Sequence, residues 1–213
     1  MNVLGHTHVA DRLRPDDAAH ALGAVLPDLA TIAGVRLQTP LSSSLQRAIT
    51  DGVACHHAAD ATFHSLAPFR SGVAALRRDL LAAGLPTGPA RAVAHVGYEL
   101  LLDGTLVGTP TEHAYRRALT GAADATDAIA IAHRARWRAF VDRITANAHH
   151  ALRYDDVGWV ADRLVAVLDH RPRLRLDAGD VPAVARVLDR HAGAIRGDAP
   201  HVLASTFAAR HDG

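Results

Sequence analysis

The sequence predicts an all-α protein, and three observations carry that reading. Aromatic residues make up only 4% of a chain dominated by Ala and Leu, a mix rich in strong helix formers and poor in the residues that favour strands. Clusters of Pro, Gly and Asp interrupt the chain so as to leave about seven or eight segments of ordinary helical length. Within several segments apolar residues recur at i, i+3, i+4 and i+7, the period of a helix with one buried face. A hydrophobic fraction of 49% over 213 residues is ample for a continuous core. The spacers are short and alike, and no internal repeat or low-complexity linker interrupts them, which predicts one domain over residues 1–213.

From the N-terminus, breaks are expected around Pro27 and Pro40. The next falls at Gly84-Leu85-Pro86-Thr87-Gly88-Pro89, where Gly84 follows Leu80-Leu81-Ala82-Ala83 as a C′ glycine would. A segment after Pro89 runs to Gly108-Thr109-Pro110, and Gly121 marks a further break. Trp137, Phe140, Val141 and Ile144 then line one helix face, and Val157, Val160, Leu164 and Leu168 line another after Asp155-Asp156. Residues 171–180 form a spacer ending at Asp180, placed as an N-cap two residues before Pro182. Val181, Val184, Val187 and Leu188 repeat the apolar stripe, and a last break is expected between Gly197 and Pro200. The site-bearing helices therefore fall within residues 1–105 and packing helices within 111–213.

Charge and composition exclude several classes. The 23 basic residues are all Arg and are offset by 22 acids, for a net charge of +1; there is no basic excess or stripe of the kind that binds nucleic acid. A single Cys55 can form no internal disulfide, and it reads as a small buried hydrophobe rather than a nucleophile. The opening segment lacks the pattern of a secretory leader, and no stretch is long and apolar enough to span a bilayer, so a reducing cytoplasmic location is expected.

The chain has 15 His but only two Glu, Glu99 and Glu112. His56, Asp60 and His64 stand at i, i+4, i+8, and so do His95, Glu99 and Asp103. On a helix these positions fall within an arc of roughly 80°, so their donors can converge. Each triad opens with His-x-x-x-acid, which sets two ligands one turn apart, and Val96, Tyr98, Leu100, Leu101 and Leu102 give the second triad apolar surroundings. With His6, His8 and Asp28 these residues form the candidate metal set, a nitrogen and oxygen mixture suited to zinc or manganese, with iron or magnesium as alternatives. Asp60, His64 and His113 are the candidates for catalytic roles, Asp60 as a bridge between two ions and His113, beside Glu112, as an acid. His57 points about 100° away from His56, toward surface or a supporting role. His170 and His191 read as structural residues late in their helices. His149, His150, His201 and His211 carry no assigned role, and Arg70, Arg77 and Arg78 read as a solvated face that can also meet a phosphate.

Three stretches carry a resemblance. Met1-Asn2-Val3-Leu4-Gly5-His6-Thr7-His8-Val9-Ala10, the Gly-x-x-x-Pro-Asp run ending at Asp28, and Gly52-Val53-Ala54-Cys55-His56-His57-Ala58-Ala59-Asp60 resemble the acyl carrier protein phosphodiesterase family. The resemblance is clearest over residues 1 to about 105. It implies a variant helical HD-type metal site and removal of 4′-phosphopantetheine from acyl carrier protein with a divalent metal, commonly manganese. The chain departs from that pattern, having His64 and His95 where the family usually carries carboxylates and Glu99-Leu100 where it carries an Asp-His pair. The resulting order, His-x-x-x-Asp, a further His, then His-x-x-x-Glu, is similar to zinc-dependent phospholipase C and its nuclease relatives, all-helical enzymes that cleave phosphodiesters with a zinc cluster. Both resemblances imply metal-dependent phosphodiester hydrolysis, with acyl carrier protein, a phospholipid-like molecule or a nucleotide as substrate. The alternative is a helical metal-binding or scaffold protein without turnover.

Overall fold

Helix-forming composition expresses itself directly in the computed structural model, which describes residues 1–37, 44–125, 131–147, 152–169 and 171–211. Among the described residues there are nine α-helices and no strand: α1 (Val3–Leu13), α2 (Ala18–Ala33), α3 (Ser44–Ser65), α4 (Ala67–Ala82), α5 (Thr87–Asp103), α6 (Pro110–Ala125), α7 (Arg134–Ala146), α8 (Val157–Leu168) and α9 (Val181–His211). Short 3₁₀ turns cover Gly104–Leu106 and Ala178–Asp180, and a lone antiparallel bridge joins Leu37 to Ile131. The protein is all-α. The expected break at Pro40 and the histidines at 149, 150 and 170 lie outside the described residues.

Several ends follow the expected chemistry. Gly84 has φ +94°, the Gly84 amide donates to Leu81 and the Leu85 amide donates to Leu80. Those two bonds complete a Schellman cap, which needs the left-handed conformation that glycine adopts at least cost. Asp17 caps α2 by accepting from the His20 amide and Asp156 caps α8 by accepting from the Trp159 amide, whereas Asp180 is the last residue of the 3₁₀ turn that leads into α9. Trp137, Phe140 and Val141 are buried, as are Val160, Leu164 and Leu168, and Val184, Val187 and Leu188. The apolar stripes of the C-terminal half are core faces.

Three expected breaks are not breaks. Pro27 lies inside α2, Gly121 inside α6, and Gly197 and Pro200 inside α9. Each proline forfeits a backbone hydrogen bond. Leu26 and Leu29 around Pro27, and Ala199, Val202 and Leu203 around Pro200, are all buried. At roughly 1.5–3 kcal/mol per buried aliphatic side chain, packing outweighs the lost bond.

The chain forms two compact units, each drawn from separate stretches of sequence rather than from its N- and C-terminal halves. One comprises Met1–Ala61, Gly108–Leu152 and Thr206–Gly213; the other comprises Thr62–Val107 and Arg153–Ser205. In the first, α1 packs on α2 and α6, α2 on α6 and α7, and α6 on α7. Here α2 and α3 also meet at glycines: a Cβ on Gly23 would lie 2.1 Å from the Ile49 carbonyl oxygen, and one on Gly52 would lie 2.2 Å from that of His20. Only a side chain of one hydrogen permits that approach. In the second unit α4 and α8 pack on α5, and Phe63, Phe69 and Tyr98 form an aromatic cluster with ring centroids 4.5–6.3 Å apart. No described helix is long and apolar enough to cross a membrane.

Candidate functional site

The first unit brings His6 of α1, Asp28 of α2 and His56 of α3 together, with one donor atom from each lying within 4.8 Å of the others. The close approach of α2 and α3 at Gly23 and Gly52 underlies it, because it sets the Ala24 carbonyl 2.8 Å from His56 Nδ1. That carbonyl only accepts, so Nδ1 carries the hydrogen and Nε2 keeps its lone pair. Burial, reinforced by the neighbouring His6, pushes the His56 pKa down to about 4. At neutral pH the ring is uncharged and Nε2 is a ready ligand atom.

His6 is buried between two carboxylates, with Nδ1 2.9 Å from Asp28 Oδ2 and Nε2 3.1 Å from Asp60 Oδ1. Burial alone would lower its pKa, but the charge and hydrogen bond of Asp28 and the hydrogen bond of Asp60 raise it overall. The His6 and His56 rings lie 3.9 Å apart between centroids. Asp60 also accepts from the Met1 α-ammonium at 2.7 Å. Burial opposes its charged form, yet the bonds from His6 and that ammonium hold its pKa well below the usual carboxylate range. His56 Nε2 is 3.9 Å from Asp60 Oδ2, too far for a hydrogen bond.

The second unit holds another group, His64 of α3 with His95 and Glu99 of α5, its donors also within 4.8 Å of one another. Both Nε2 atoms lie 3.2 Å from the same oxygen, Glu99 Oε1. Burial pushes the Glu99 pKa up, but positive charge, with the hydrogen bonds of the two imidazoles after it, brings it down overall.

These two groups replace the two triads expected from spacing. His56 and Asp60 face His6 and Asp28, while His64 joins His95 and Glu99. The reason is the helical rise: His64 lies two turns, about 12 Å, along α3 from His56, too far for one ion to be shared. Asp103, the last residue of α5, is fully buried but belongs to neither group. His8, two residues from His6 and so about 200° around α1, turns its Nδ1 to Thr111 Oγ1 at 3.2 Å.

His113 is exposed, its Nδ1 3.2 Å from the Thr109 carbonyl. Beside it, Glu112 accepts from the Gly108 amide at 2.7 Å and pairs with Arg116, which makes it a helix-start residue. His57 is exposed and Cys55 buried, and Arg70, Arg77 and Arg78 are exposed. His191 sits within α9 rather than at its end, paired with Asp79 of α4 at 2.9 Å. His201 is exposed on α9.

One participant has no signal in the sequence. The Ala24 carbonyl orients His56, and no side-chain pattern reports a backbone group. No protein-family model, curated protein or solved structure matches the chain.

Proposed function

We propose that this chain is a metal-dependent phosphodiester hydrolase on an HD-like or phospholipase C-like helical scaffold, with His6, Asp28, His56 and Asp60 holding zinc or manganese. The observation that carries the reading is the convergence of two imidazoles and a carboxylate from α1, α2 and α3 within 4.8 Å. Their chemistry fits a borderline divalent ion, with iron or magnesium as weaker candidates, whereas calcium would call for oxygens alone. Such an ion would supply Lewis acidity, lowering the pKa of water and offsetting charge on phosphoryl oxygens.

The protein's own part is preorganisation. The Ala24 carbonyl holds the His56 ring in one tautomer and orientation, the usual second contact of a metal-binding histidine. Asp28 and Asp60 flank His6 at opposite ring edges and fix its orientation; a bound ion would take the place of the hydrogen on one of its nitrogens. The motifs at Met1–Ala10, Gly23–Asp28 and Gly52–Asp60 support phosphodiester chemistry through their resemblance to the acyl carrier protein phosphodiesterases. The substrate proposed is the 4′-phosphopantetheine linkage of acyl carrier protein, or a phospholipid-like or nucleotide diester, and the proposed location is the cytoplasm.

The test begins with zinc, manganese and iron content per chain in untagged protein and in His56→Ala and Asp28→Asn. At least stoichiometric metal is expected in the parent, and about one ion fewer per chain in both variants. Turnover of a chromogenic phosphodiester and of holo-acyl carrier protein is expected only with metal present. Sub-stoichiometric metal after zinc and manganese are supplied would sink the reading, and metal without turnover on either substrate would leave a helical metal-binding protein.

A further inference from the structure

We infer that His64, His95 and Glu99 form a self-contained divalent-cation site within the Thr62–Val107 segment, one that fills independently of the His6–Asp28–His56 group and keeps open positions for an exogenous anion. Two Nε2 atoms aim at one carboxylate oxygen, each at 3.2 Å. That is the long edge of the hydrogen-bond range, but it is the spacing of neighbouring ligands around one ion. Bonds of about 2.1 Å set adjacent donors about 3.0 Å apart at right angles and about 3.4 Å apart at tetrahedral angles. The His64 and His95 rings are tilted by 45° with centroids 5.0 Å apart, so they converge rather than stack.

The backbone is suited to the task. His95 and Glu99 are one turn apart on α5, an i, i+4 pair that projects side by side. Glu99 is buried at 8% exposure with both imidazoles on one of its oxygens, so the set presents one carboxylate oxygen and two ring nitrogens. Such a two-His, one-carboxylate set suits zinc, cobalt(II), iron(II) or manganese(II) better than magnesium or calcium.

Openness follows from the surroundings. The His64 and His95 side chains are 34% and 43% exposed, so one side of the set meets solvent. The other is walled by Phe69, buried, with its ring centroid 5.0 Å from His64 and 5.3 Å from His95. Three protein donors leave at least one coordination position for water, and a small anion such as azide or inorganic phosphate can replace it from the solvent side.

Cobalt(II) titration of the metal-free, untagged protein, read by visible absorption and by metal content after gel filtration, tests this. The wild type is expected to take up two ions per chain. His64→Gln/His95→Gln and His56→Gln/Asp28→Asn are each expected to keep one, the retained site holding its affinity to within about twofold, as for uncoupled sites. Azide is expected to change the cobalt spectrum of His56→Gln/Asp28→Asn. Full cobalt uptake by His64→Gln/His95→Gln overturns the site, a large affinity change on loss of the other group overturns its independence, and a spectrum indifferent to azide overturns the open position. Failure of the hydrolase reading is separate, since it appears as full uptake by His56→Gln/Asp28→Asn. Circular dichroism checks folding; if the double variant unfolds, His95→Gln alone, at the more exposed ring, is expected to weaken uptake at this site by at least about tenfold.

Discussion

A histidine becomes a ligand, a cation or a structural bridge according to what touches its two nitrogens. His56 gives one nitrogen to the Ala24 carbonyl, His6 sits between Asp28 and Asp60, and His191 bonds Asp79 across two helices. Carboxylates sort in the same way. Asp17 bonds the His20 amide at the start of α2, and Asp17→Ala is expected to cost about 1 kcal/mol in urea unfolding. Asp156 is held below the usual carboxylate range first by the Trp159 amide, and Asp79 first by its bond from His191. Both have folded pKa values below their unfolded ones, so their contribution is complete above the unfolded value of about 3.9 and is lost as pH falls through the folded value. Stability measured from pH 5 downward is therefore expected to fall less steeply in Asp156→Asn than in the parent. The histidine and acid types were legible in the sequence, as was a partner one turn away such as Glu99 for His95; the partners of His6, His56 and His191 were not, because each lies tens of residues away and, for Ala24, is a backbone oxygen.

At the scale of helices, glycine serves two opposite purposes. Gly84 provides a left-handed residue in open space, with nothing within 4 Å of an added Cβ. Gly84→Ala is expected to cost about 1–2 kcal/mol through the backbone alone. Gly23 and Gly52 instead remove bulk where α2 meets α3. Gly23→Ala is expected to cost about 1–3 kcal/mol by overpacking and, unlike Gly84→Ala, to weaken cobalt uptake at His6–Asp28–His56, because parting those helices draws Ala24 from His56. Thermal melting and titration of both variants separate strain from disruption of the site. The Gly84 cap was legible because its signals are local. Pro27, Gly121, Gly197 and Pro200 lie inside helices for the converse reason: the tertiary burial of Leu26, Leu29, Leu119, Ala199 and Val202 around them overrides a local penalty.

For the whole molecule, metal should behave as a folding ligand. An ion that binds only the native state adds about 2.7 kcal/mol at a hundred times its dissociation constant. Zinc is accordingly expected to raise the melting temperature and a chelator to lower it. His56→Gln/Asp28→Asn and His64→Gln/His95→Gln are each expected to keep part of that shift. A variant of all four positions is expected to keep none, and an undiminished zinc shift in it would show that the ion acts elsewhere.

Helical class, the core faces of α7, α8 and α9 and the list of candidate donors were determined by the sequence alone, because periodicity and residue chemistry are local properties of the chain. Which donors share a site was decided only by tertiary structure. Spacing placed His56, Asp60 and His64 together and His95, Glu99 and Asp103 together. The fold instead joins His6, Asp28 and His56 across three helices and turns His64 toward His95 and Glu99. A one-dimensional spacing reports only positions on one helix, whereas a metal ion needs donors converging in three dimensions, and helix packing alone supplies that convergence.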